Sequence, residues 1–408
     1  MRTDQRRPFY WHAFFLAVTT SFTEVNTVMP ALVMAAGGTV VAVGALTAIM
    51  IGLPLVSQLL FAGFLSTREH KKPFLLLGIY LRVLALAGAA VGIAVLGSDP
   101  RVIAVVFVAM ALFALSGAFA GVSYTELVGT LVRVEHRRAF FVRRQVITTM
   151  GLLVSALAVR LLLGAADLPD GYVLLFALAS TFLLFASLGF WRLVEPSSAT
   201  PGAPRGTTLG ALRQAPQLLR EDQNLRTLIL IANLGALGFT SIPLVTALAH
   251  RSYPLTAGTV GTFALVQIVG MLVFSPVWSR LIGRGGFRLV LRVEMGIVAV
   301  LFPLALLLAG TAPLGVYAAL YLLTGAVVSA HKIAIDGALV QISPDARRSL
   351  YAGVFGAANL GAALLPLITG ILAGTLGFTV VFLAASAAAL LALLPLRKLS
   401  CGDWFRTL

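Results

Sequence analysis

Near-continuous apolar runs, each about twenty residues or longer, fill the chain and are separated by short polar stretches. About 20 residues of helix cross the roughly 30 Å of bilayer hydrocarbon, whereas barrel strands would alternate apolar and polar positions. The pattern therefore predicts an all-α polytopic membrane protein of twelve spanning helices. The first six cover 8–34, 40–65, 73–96, 102–131, 146–165 and 172–191, and the second six cover 227–249, 255–282, 289–309, 314–342, 352–373 and 378–394. A Gly37-Gly38 turn joins the first two, and basic loops occupy 66–72 and 133–144. Segment 195–226 opens rich in Pro, Ser and Gly, as linkers do. It closes, over 209–225, with apolar residues at near-helical spacing, expected to lie on the membrane surface. The expected domains are a six-helix bundle over 1–194, a cytoplasmic central loop over 195–226 and a second bundle over 227–408.

The polar positions repeat. Glu126, Glu135, Arg137, Arg138, Phe140 and Phe141 recur as Asp336, Asp345, Arg347, Arg348, Leu350 and Tyr351, all at one offset of 210. The same offset carries Leu81-Arg82-Val83 onto Leu291-Arg292-Val293. Two pseudo-symmetric halves follow. Each has an even number of spans, so the halves share one orientation, as in parallel transporter repeats with substrate bound between them.

Composition agrees: 59% of the 408 residues are hydrophobic and 11% charged, against about 25% charged in soluble domains. The net charge of +15 would suit nucleic acid, but its distribution argues against that partner. Of 30 Lys and Arg, 24 fall in the N terminus, every second loop and the C terminus. Arg101 and Arg251 fall in the opposite loops, and Arg82, Arg160, Arg292 and Lys332 lie within apolar runs. The positive-inside rule then places both termini in the cytoplasm, with the inner membrane as the location. The single Cys401 leaves no disulfide or cysteine metal site. The first apolar run contains Glu24 and lacks a cleavage pattern, so no signal peptide is expected.

Six plus six helices, cytoplasmic ends and a long central loop resemble the major facilitator superfamily of secondary transporters, in a divergent bacterial form. That family's loop between helices two and three reads Gly-x-Leu-x-Asp-Arg-x-Gly-Arg-Arg. Here Gly63, Leu65, Arg68, Lys71 and Lys72 match it, while Thr67 replaces the acid and His70 the second glycine. The resemblance implies a cytoplasmic gating loop at Gly63, Arg68, Lys71 and Lys72, with its charge latch in question. Arg280-Leu-Ile-Gly283-Arg284 is a weaker echo in the second half. The Gly-Pro-rich motif usual in helix five of drug-proton antiporters is missing over 146–163, which weakens that specific activity.

Ionisable groups in hydrocarbon cost at least about 2.5–3.5 kcal/mol each, so each needs a partner or a wet cavity. The repeat suggests two equivalent ion pairs, Arg82–Glu126 and Arg292–Asp336, as structural braces or gates. Glu24 has no mirror in the second half. A partly desolvated carboxylate there suits a proton or cation site, with Asn26 close by; the alternative is a packing acid hydrogen-bonded to a neighbour. His331 and Lys332 lie on helix ten. Lys332 is four residues before Asp336, so a bond between them competes with the Arg292 pairing; Lys332 facing an anionic substrate is the other option. His331 by itself reads as a satisfied interior histidine. Asn233 and Gln267 are candidate cavity groups that interhelical hydrogen bonds explain equally well. Arg160 is expected to snorkel outward, and Glu294 has no evident partner.

Catalytic and metal-ligating constellations are missing, as is a phosphate-binding loop, so neither an enzyme nor a cofactor is expected. The sequence reads as a monomeric secondary transporter working by alternating access. It would move a small organic solute, amphipathic ones included, coupled to protons, with export favoured over uptake. The alternatives are a proton-coupled uptake symporter for a metabolite and, from another class, a non-transporting membrane scaffold or receptor.

Overall fold

A computed structural model describes residues 6–66, 68–97, 99–132, 134–165, 170–195, 208–344 and 347–399. Among these, every regular element is helical. The first predicted helix is divided into α1 (Arg7–Phe22) and α2 (Val28–Ala35). After a turn at Gly37, whose φ of 78° favours glycine, Thr39 caps α3 (Val40–Thr47) through the Ala42 N–H. A π-turn at Ala48–Gly52 leads into α4 (Leu53–Ser66).

Next come α5 (Lys72–Leu96), α6 (Arg101–Leu131), α7 (Val134–Ala165) and α8 (Asp170–Trp191). The expected loop 133–144 is instead largely the first turns of α7. It holds neither Gly nor Pro after Arg133, so nothing in it interrupts a helix. Between α5 and α6, hydrogen bonds from Arg101 hold the exposed Asp99 carboxyl below its usual range.

The central segment forms α9 (Thr208–Glu221), followed by α10 (Gln223–Ser252). Asp222 separates them and caps α10 through the Leu225 N–H. The 52-residue α11 (Ala257–Leu308) contains two helices joined at Gly285 and Gly286, which leave helical geometry. Then follow α12 (Leu314–Ala318), α13 (Leu320–Ile342), α14 (Arg348–Ala358), α15 (Leu365–Thr375) and α16 (Phe378–Leu396). The predicted eleventh span is therefore broken, with Asn359 and a 3-10 turn between α14 and α15.

Among the described residues, ten stretches are long and apolar enough to cross a membrane. The 52-residue α11 counts once among them although it contains two helices, and the broken α1 and α2, at 16 and 8 residues, are each too short to be counted. Large apolar side chains on these helices face outward, with Val95 77% and Val108 72% exposed. Such a surface suits lipid rather than water. The chain is an all-helical, multi-pass membrane protein.

The chain forms two compact units. The first comprises Met1–Gly38, Ile49–Ala203 and Leu255–Leu265; the second comprises Thr39–Ala48, Pro204–Pro254 and Val266–Leu408. In the first, α5 packs on α6 and α8, and α1 on α7 and α8, around buried Phe9, Phe140, Tyr172, Phe176 and Phe190. In the second, α10 packs on α13 and α16, and α3 on α15. Lipid tails are as apolar as the helix faces, so close packing and hydrogen bonds must hold the helices together. Accordingly Tyr317 donates to the Val245 carbonyl at 2.9 Å, and Trp278 Nε1 donates to Ser329 Oγ at 2.9 Å. A Cβ on Gly370 would lie 2.9 Å from Gly44 Cα, so α3 and α15 meet backbone to backbone.

Candidate functional site

The break between α1 and α2 is organised by Glu24. Its Oε2 accepts the backbone N–H groups of Asn26 (2.8 Å) and Thr27 (2.7 Å) and the Thr27 hydroxyl (2.8 Å). Its Oε1 accepts from Asn26 Nδ2 at 2.9 Å. A carboxylate on these N–H groups satisfies donors that the start of α2 leaves open, and the positive end of the helix favours its charge. Side-chain capping thus competes with a continuous helix. Glu24, Asn26 and Thr27 form one local knot.

The second unit brings together one acid and one base that lie far apart in sequence. His331 Nδ1 on α13 stands 2.7 Å from Glu294 Oε1 on α11. The Glu294 side chain is 1% exposed and that of His331 19%. Glu294 Oε2 is buried with no hydrogen-bond partner. Phe239 of α10 stacks on the imidazole, with centroids 4.5 Å apart and planes 13° apart, fixing the ring. A buried carboxylate oxygen without a donor carries a desolvation cost.

Other polar candidates are tied into the packing. Gln267 is fully buried; its Oε1 accepts from the Thr324 hydroxyl at 3.3 Å, and its Nε2 has no partner. Asn233 donates to Asn359 Oδ1 at 3.1 Å and to the Ile229 carbonyl at 2.9 Å. That bond spans the point where α14 ends.

Among the described residues, no ion pair joins Arg82 to Glu126 or Arg292 to Asp336. Arg82 turns instead onto the Phe113 ring, its Cζ 4.1 Å from the centroid. The missing side chain of Gly117 makes room for it; a Cβ there would lie 3.3 Å from Arg82 Nε. Arg292 and Asp336 are both exposed. The Lys332 side chain lies outside the described residues, as do the side chains of 135–139 and 345–346 and residue Cys401.

At the loop between α4 and α5, the Glu195 carboxylate accepts the backbone N–H of Lys71 (2.7 Å) and of Lys72 (2.9 Å). Lys72 Nζ reaches back to the Trp191 and Leu193 carbonyls, each at 2.8 Å. Lys71 Nζ donates to the Leu65 and Arg68 carbonyls, and Arg68 lies over Phe64, 4.6 Å from its centroid. A carboxylate from beyond α8 thus engages the loop whose own acid is replaced by Thr67. Gly63 lies on α4, its surroundings outside the described residues. No group of three or more His, Cys, Asp or Glu among the described residues is placed to hold a metal ion.

The sequence contained a signal for the Glu294–His331 pair: an acid with no evident partner on one span and an interior histidine on the next. It lacked the register that brings them together.

The chain shares its fold with several solved transporters. It superimposes on the nucleoside transporter NupG, in a mutant form, with a TM-score of 0.73 and 14% identity over 97% of this chain and 99% of that one. A POT family transporter in complex with a thioalcohol-conjugated peptide gives 0.73 and 12%, over 96% of each chain. A bacterial homologue of the iron transporter ferroportin, in its inward-facing state, gives 0.71 and 16%, over 98% and 99%. No family model matches the sequence, and no curated protein does. Nucleosides, peptides and iron on one scaffold mean that the fold leaves the cargo open.

Proposed function

We propose that this chain is a proton-coupled secondary transporter that moves a small organic solute by alternating access, exporting it from the cell. The observation that carries the proton coupling is the Glu294–His331 pair: a fully buried carboxylate, half-partnered, beside a partly exposed imidazole. Ionisable groups within spans are costly and mark proton or substrate pathways, and this pair has both an acceptor for a proton and a neighbour to pass it on. Glu24 suits the role less, because Asn26 and Thr27 already occupy its oxygens. The preference for export rests on the sequence, which shows no dense set of polar cavity residues of the kind a sugar would need.

In this reading the chain sits in the inner membrane as a monomer with both termini in the cytoplasm. That placement is supported by the 24 of 30 basic residues on one set of loops and ends. Proteoliposomes test the coupling. Solute pools should drive proton movement in the wild type and in Glu24→Gln but not in Glu294→Gln. Equal coupling in Glu294→Gln would sink the assignment.

A further inference from the structure

The first unit contains a second cluster of polar side chains that the coupling reading does not use. His12 of α1 is 5% exposed, and its Nδ1 has no partner. Its ring lies 5.8 Å from that of Tyr124 on α6, whose buried hydroxyl has Arg144 as its neighbour. Arg144 of α7 places its Cζ 5.2 Å from the Tyr124 centroid. Arg82 of α5 sits over Phe113 as described. The Nε atoms of both arginines are buried and unpartnered. The charged groups that act on His12 are Arg82 and Arg144, both cations. Glu126 is two residues from Tyr124, about 200° around α6, and so projects from another side of that helix.

Two guanidinium Nε–H groups that are buried and unanswered cost free energy unless an acceptor arrives. Aromatic faces offset part of that charge, but they leave these N–H groups open. Guanidiniums match carboxylate and phosphate oxygens. Arg82, Tyr124 and Arg144 are only half-buried, so the cluster is not sealed.

We propose that His12, Arg82, Tyr124 and Arg144 form a binding site for the carboxylate or phosphate of a small organic anion. The inference rests on the transporter reading and narrows its cargo to acids. The buried Nδ1 of His12, without a partner, is open to a polar group of the same solute, and the two arginines hold the charge.

Arginine labelling of the purified full chain with phenylglyoxal, mapped by mass spectrometry, tests the site without requiring transport. Benzoate and phenyl phosphate are the anionic probes, benzamide the neutral control and inorganic phosphate the bare ion. The expected result is several-fold slower labelling of Arg82 and Arg144 with benzoate or phenyl phosphate and none with benzamide. Protection of Arg82 should be lost in Arg144→Gln and kept in Arg144→Lys, with gel filtration confirming that each variant folds. Unprotected arginines, or equal protection by benzamide, overturn the site. Equal protection by inorganic phosphate overturns its assignment to an organic solute. Protection in phosphatidylglycerol nanodiscs without soluble anion, absent in phosphatidylcholine discs, assigns it to a lipid headgroup and overturns it as a cargo site. Protected arginines in a protein that moves no solute would count against transport alone. Unprotected ones in a protein that carries a neutral solute would count against this site alone.

Discussion

His331 Nδ1 lies 2.7 Å from Glu294 Oε1, while the other oxygen of that buried carboxylate meets no donor. A pair built this way tolerates a neutral glutamine, which keeps an oxygen for the imidazole, far better than an apolar truncation. Glu294→Gln should therefore unfold close to the wild type, whereas His331→Ala should lose roughly 1–3 kcal/mol by leaving the Glu294 carboxylate without its hydrogen bond. Denaturation of both variants in detergent checks this; equal losses would show that the hydrogen bond does not hold the pair.

Glu24 holds the turn between α1 and α2 through its bonds to Asn26 and Thr27. Its replacement by Ala should cost about 1–2 kcal/mol, the range of lost helix caps, and Glu24→Gln less, since its amide oxygen still accepts the Thr27 N–H. Thermal unfolding of the two variants should rank them in that order. The reverse order would mean that the charge of Glu24, not its cap, matters to the fold.

Gly44 and Gly370 set the approach of α3 to α15, and a Cβ on either would meet backbone within 3 Å. Gly370→Ala should destabilise by about 1–3 kcal/mol through overpacking. Gly88→Ala on α5, where nothing lies within 4 Å, should be neutral or stabilising by up to about 1 kcal/mol. Comparing their melting temperatures separates contact from helix propensity.

Tyr351 donates to Asp222 Oδ2 at 2.5 Å, and Leu218 of α9 is buried with Tyr351 and Val354. The amphipathic helix expected on the membrane surface is thus docked on the second unit. Tyr351→Phe should speed hydrogen exchange across 215–221 while leaving α10 protected. Unchanged exchange would mean that the apolar contacts alone hold α9.

The apolar runs made the helices legible, because hydropathy reports burial in lipid directly. The interruptions were not legible: the break at Thr23–Thr27 arises from one carboxylate outcompeting the helix for its own N–H groups, and no hydropathy average registers that. The loop expected at 133–144 failed for the converse reason. Its charges suggested solvent, but without Gly or Pro the backbone stays helical. Ion pairs inferred from the 210-residue offset assumed that equal depth implies contact; Arg82 rotates onto Phe113 and Gly117 instead. Glu294 and His331 were visible singly, yet their partnership depends on the rotation of two helices, which sequence spacing leaves undetermined.

The most direct test of proton coupling compares two modes in proteoliposomes with Glu294→Gln: solute exchange at equal pH on both sides, and solute movement driven by a pH gradient. The account predicts that exchange survives while gradient-driven movement is lost, because the solute path remains and the proton path does not. Gradient-driven movement at the wild-type rate in Glu294→Gln would contradict it.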